Sequence, residues 1–204
     1  IARRFGLKTG IKETLESIGG SYGITRERVR QIEEVSLAQI RESLETDTSH
    51  ATQVQPFVSL VHSVLESSGG VIREEELFSR FSGVGQTTPT NAALVFILTL
   101  VRKFDRALED EAFHTFWSLS TDHTKQFQTQ TAEFVASLEK QKRVVAESQI
   151  TDPALAAYLT ISKQAAKNVF NEVGLTSWPE IKPRGVRDKS FLVLKKEGTP
   201  KHFR

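Results

Sequence analysis

One stretch constrains this chain more than any other: TLESIGGSYGITRERVRQIEEVSLAQIRESL, residues 14–44. Thr14 and Thr25 are placed to cap two successive helices through their side-chain oxygens. Gly23 falls where the first helix must stop, in a left-handed conformation that favours a residue without a Cβ. Gly19, four residues earlier, is small where two helices need close approach. Leu15, Ile18 and Tyr22 recur at helical spacing on the first helix. Val29, Ile32, Ser36 and Ile40 do so on the second, with Ile24 at its entry. The spacing predicts two helices joined by a tight glycine turn.

The other side of the second helix is polar. At about 100° per residue, Arg26, Glu27, Arg30 and Gln31 fall together, away from Val29 and Ile32. Arg can bond guanine bidentately, Gln can pair with adenine, and Glu can accept from a cytosine amino group. A helix-turn-helix presents such readers from the first turns of its second helix. Taken alone, the RERVRQ string fits a solvated helix face with salt bridges better than a base reader. The glycine spacing and the paired caps favour the reader.

The longer run RRFGLKTGIKETLESIGGSYGITRERVRQIEEVSLAQI closely resembles region 4 of the bacterial sigma-70 family, which binds the promoter −35 element. The resemblance implies that Arg26, Glu27, Arg30 and Gln31 contact bases of double-stranded DNA. It implies that Thr25 and Arg28 lie beside the phosphate backbone, and that bacterial RNA polymerase core is a partner. One departure concerns charge: the family carries a basic run after RQIE, whereas here Glu33, the last residue of that motif, is followed by Glu34, and the two acids weaken the attraction to phosphate.

The 204 residues suffice for several small domains, and the composition is that of a globular protein. There is no Cys, which removes disulfides and cysteine metal sites. The longest apolar run, residues 92–101, is too short to span a bilayer. His50, His62, His114, His123 and His202 have no metal-ligand spacing, and no phosphate-binding or nucleophile motif is present. The expectation is a protein that is not an enzyme, with no metal, no cofactor, no small-molecule substrate and no membrane association. A cytoplasmic, nucleoid-associated location follows. The chain opens on Ile1 without an initiator Met, as a piece of a longer protein does. The net charge of +2 is unevenly spread: residues 45–123 carry five basic and eleven acidic side chains, residues 182–204 eight and two. Only the two ends suit nucleic acid electrostatically.

The expected fold is mainly α: a helix-turn-helix (residues 1–45) followed by winged-helix-like units with short β-hairpins. Residues 45–53 read as a polar linker. In the unit at 54–121, Phe57, Leu60, Val61, Val64 and Leu65 form a helical stripe. A short strand at Val71 and Ile72, helices over 74–81 and 91–104, and a hairpin over 104–119 follow. The unit at 124–181 repeats the theme, with a long helix over 127–145 and another starting at Pro153. A third helix is predicted over 162–173. Its Lys163, Gln164, Lys167 and Asn168 form either a second DNA-contact face or a solvated one.

The tail VRDKSFLVLKKEGTPKHFR resembles the opening of the HARE-HTH family, a winged-helix module, here truncated within residues 183–204. Region 4 followed by such units is similar to a class of bacterial sigma-like proteins. Two other function classes stay open. One is a protein-interaction adaptor of the transcription machinery, which the acidic middle suits. The other is the DNA-targeting module of a larger enzyme.

Overall fold

The computed structural model describes residues 1–197. It opens with one helical turn, α1 (Ala2–Phe5), then α2 (Leu15–Tyr22) and the long α3 (Arg26–Thr46). The stretch at 45–53 is not a linker. α3 runs on to Thr46, only Asp47 breaks the helix, and α4 (Thr48–Ser67) begins at once. Capping overrides the missing apolar period here: the Asp47 carboxylate accepts from the Ser49 N–H at 2.8 Å.

From α4 the chain continues through β1 (Val71–Arg73), α5 (Glu74–Ser82), α6 (Pro89–Val101), β2 (Asp105–Ala107) and β3 (Phe116–Ser118). The strands form an antiparallel sheet in the order β1-β3-β2. This is the expected winged-helix-like order. The apolar stripe of α4 differs in detail. Val58, Val61 and Leu65 are buried, whereas Phe57 and Leu60 stand on the outer flank, about half exposed.

The next unit repeats the order. α7 (Thr121–Gln141), β4 (Val145–Ala146), a 3-10 turn (Glu147–Gln149), α8 (Pro153–Ile161), β5 (Ala165–Lys167) and β6 (Glu172–Leu175) follow. Their sheet has the order β4-β6-β5, so the topology of the first sheet recurs with its second helix reduced to one turn. α7 starts earlier than its apolar residues suggest, because Ser120 caps it by accepting from the His123 N–H. The last described element is α9 (Val186–Glu197). The end of the tail that resembles a HARE-HTH module, residues 198–204, lies outside the described residues.

The helix predicted over 162–173 is absent, and the β5–β6 hairpin takes its place. Ser162 does not cap a helix; its hydroxyl accepts from the Gln164 and Ala165 N–H groups and turns the chain into β5. The Asn168 side-chain oxygen accepts from the Phe170 and Glu172 N–H groups, and Asn171 adopts φ 59°. Those local bonds close a hairpin turn, as Asn side chains do by competing with helical bonding.

The first sheet is buried on both faces, and this joins the units. Ile72 and Trp117 point into a cluster with Val58, Val61, Leu65, Leu77, Leu94 and Leu98. Val71 and Phe116, on the opposite face by strand alternation, join Phe113, Phe127, Leu138, Tyr158 and Ile161. The hairpin tip is used too: Phe113 bridges Ser162, and the Lys163 N–H donates to the Ala112 carbonyl. One carboxylate pins the sheet to α5. Glu74 accepts from the Trp117 indole N–H at 2.9 Å and from Arg106 at 2.6 and 2.7 Å. Its removal leaves the indole and the guanidinium of Arg106 unpaired in a largely dry site. Glu74→Ala is expected to lower stability by about 3 kcal/mol, measured by denaturant unfolding followed through Trp fluorescence.

Candidate nucleic-acid interface

The turn between α2 and α3 is built as its residues dictate. Gly23 takes φ 66° and its N–H donates to the Gly19 carbonyl, ending α2. Thr14 and Thr25 cap their helices, accepting from the Ser17 and Arg28 N–H groups at 3.1 Å each. Gly19 is buried against the turn. A Cβ placed there would lie 2.6 Å from the Ile24 carbonyl oxygen, so the crossing of α2 and α3 exists only with glycine at this position.

The first two turns of α3 project into solvent. Arg26, Glu27, Arg28, Arg30 and Gln31 are all exposed, and Thr25 caps the end they share. Opposite them Val29 is buried, and Ser36 and Ile40 are half-buried. Ile32 is 47% exposed and Tyr22 66%, so the apolar sides expected of the two helices are only partly covered. Periodicity reports which residues share a side, not whether anything sits against it.

Charge on the reading side is largely paired. The Arg30 guanidinium donates to Glu27 at 2.6 and 2.9 Å and also meets Glu34 one turn on. The Arg30 hydrogen bond holds the Glu27 carboxyl below its ordinary range. Arg28 reaches Gln31 at 3.4 Å. Glu33 belongs to the other side, where it pairs with Arg4 at 3.3 Å. Of the adjacent acids Glu33 and Glu34, only Glu34 therefore meets Arg30. Arg3, like Arg4, is held by a carboxylate away from this side: it bonds Glu13 at 2.7 Å and lies 5.5 Å from the Tyr22 ring centroid. Along α3, Arg26, Arg28, Arg30 and Arg41 stand against Glu27, Glu33, Glu34, Glu42 and Glu45, a net −1. The positive charge is confined to its first two turns.

The winged-helix-like units offer no comparable helix. α6 and α8 hold the place of the third helix in each unit, and neither contains a charged residue. α8 packs behind the first sheet through Tyr158 and Ile161. α6 carries the helix-turn-helix. The Phe5 and Phe96 rings meet edge-on at 4.9 Å, and Arg41 donates to the Thr99 carbonyl at 3.5 Å. The four residues considered as a second DNA face do not lie on a helix but run through the turn and strand at β5. Lys163 bonds Glu109 at 2.6 Å, Lys167 bonds Glu147 at 2.9 Å, Asn168 is buried in its turn, and Gln164 is exposed.

Residues 1–42 match the family described as Sigma-70, region 4. The match gives this part of the chain a DNA-binding, sigma-like helix-turn-helix role in transcription. It ends within α3, so the winged-helix-like units lie outside it. No solved structure matches the chain. Among the described residues no helix is long and apolar enough to cross a membrane, and no group of three or more His, Asp or Glu could hold a metal ion.

The pairing of Arg30 with Glu34 was readable from i,i+4 spacing, and it sets a competition between that carboxylate and DNA. Glu34→Gln is expected to raise affinity for duplex DNA roughly threefold, the scale of an exposed ion pair, measured by fluorescence anisotropy. Gly19→Ala is expected to destabilise the helix-turn-helix by about 2 kcal/mol, because a backbone oxygen cannot rotate out of the way. Helical circular dichroism during denaturation measures it.

Proposed function

We propose that this chain recognises a −35-like promoter element by laying the start of α3 in the major groove. Arg26, Glu27, Arg30 and Gln31 meet base edges, and Thr25 and Arg28 meet the phosphate backbone. The observation that carries this reading is the exposed set of donors and acceptors on the first two turns of α3, set outward by the Gly19–Gly23 turn. The helix N-terminus adds a partial positive charge beside the backbone. The readers are exposed and need no refolding to reach DNA. Arg30 must exchange Glu27 and Glu34 for a base, so its pairing costs affinity but penalises wrong sites.

Association with bacterial RNA polymerase core belongs to the same proposal. Ile32 and Val35 of α3 are 47% and 58% exposed, and suit a protein partner. The chain contributes no catalytic step. α9, a helix of the predicted extent, fits the opening of a HARE-HTH-like module. A second reading, a protein-interaction adaptor, has one observation in its favour: α3 as a whole is net −1.

Salt separates the two readings. Phosphate contacts make log affinity fall linearly with log salt, whereas an adaptor's docking is nearly flat. Arg30→Ala is expected to cost about 1–3 kcal/mol on a site selected from a randomised duplex pool. On random duplex the loss should be much smaller. Equal losses on both would remove base readout by Arg30.

A further inference from the structure

The helix-turn-helix is thinly built for a folding unit. Within α2 and α3 only Gly19 and Val29 are buried, while Ile24, Ile32 and Val35 stay exposed. A segment of this size without disulfide or metal rarely buries enough apolar surface to fold alone. Its missing contacts come from the next unit. Gly10 lies so close to the backbone of Thr87 and Thr88, just before α6, that a Cβ there would sit 3.1 Å from them. Phe5 meets Phe96 edge-on, and Arg41, in the C-terminal half of α3, bonds the Thr99 carbonyl. Phe96 and Thr99 lie one turn apart on α6. Leu94, Val95 and Leu98 fill the core of their own unit, and Phe96 does not join that cluster.

We infer that α6 is the seat of the reading helix: Phe96, with the Arg41–Thr99 bond, holds α2 and α3 folded and fixes the pose of α3. Both are positioning residues and touch no DNA. The first winged-helix-like unit has thus given up its third helix as a reader and uses it to present another one. This explains why α6 is apolar on nearly every side and uncharged. One side faces its own core, and the other faces α1 and α3. The structural half of this inference is independent of DNA binding; its effect on affinity rests on the function proposed above.

Hydrogen exchange on the whole chain tests it. In Phe96→Ala, protection across residues 14–46 should fall at least tenfold while α7 and α8 keep theirs. Phe96→Leu should restore most of it. Arg41→Met, which keeps the aliphatic stem, should give the same localised fall at smaller size. Affinity for a selected duplex should drop in step, with the salt slope of Arg41→Met unchanged because no phosphate contact is lost. Unchanged protection in both variants overturns the inference. So does an equal fall over the whole chain in Phe96→Ala, which would make Phe96 an ordinary core residue. A reduced salt slope in Arg41→Met assigns Arg41 to the phosphate backbone and overturns its positioning role. Exchange is read without DNA. A localised fall with no change in DNA affinity therefore leaves α6 as the seat and removes base reading instead.

Discussion

The crossing of α2 and α3 depends on an atom that is missing. Gly19 brings α2 up to the Ile24 carbonyl at a distance no Cβ tolerates, and Gly23 turns the chain in a conformation few other residues accept. Those two positions fix the angle between the helices. The angle decides that Val29 faces inward and that Arg26, Arg30 and Gln31 face outward. The proposed recognition rests on that geometry rather than on the side chains themselves, which an ordinary solvated helix could also carry.

The larger part of the molecule is organised around burial. A strand buried on both faces is costly to build unless a second layer covers it. Here α7 and α8 supply that layer for the first sheet, through Phe127, Leu138, Tyr158 and Ile161. Phe113, Phe116, Phe127, Phe134 and Tyr158 form edge-on ring contacts, which aromatic quadrupoles favour. α6 repeats the device in the other direction, toward α1 and α3. In both units the third helix and its surroundings serve cohesion. The wing of the first unit is likewise tied to the second through Lys163, Glu109 and Asp110. The elements a winged helix could offer to DNA are, in that unit, spent on holding neighbours.

Electrostatics narrow the interface further. The basic residues nearest the turn divide: Arg3 and Arg4 pair with Glu13 and Glu33, and Arg26, Arg28 and Arg30 stand exposed on the first two turns of α3. Glu27 and Glu34 temper Arg30. The recognition proposed for this surface would depend on matched base-edge hydrogen bonds more than on bulk attraction to phosphate, since beyond its second turn α3 has no net positive charge to offer.

Local chemistry was legible in the residues themselves. Thr14, Gly23 and Thr25 announced the helix-turn-helix because caps and left-handed turns are set by neighbours within four residues. The Pro153 start and the 104–119 hairpin were readable for the same reason. The errors lie where distant partners, or side-chain bonds competing with helix, decide. Asp47 turned an apparent linker into a helix junction, and Ser162 and Asn168 turned an apparent helix into a hairpin. No periodicity could say that α6 seats α3, that Glu33 turns inward to Arg4, or that Phe57 and Ile32 go uncovered. The sequence by itself determined where the chain turns and which side chains share a side of α3, because those follow from bonds along the chain. Only the tertiary structure decided which of those sides are covered and by what, because burial depends on residues brought together from far apart.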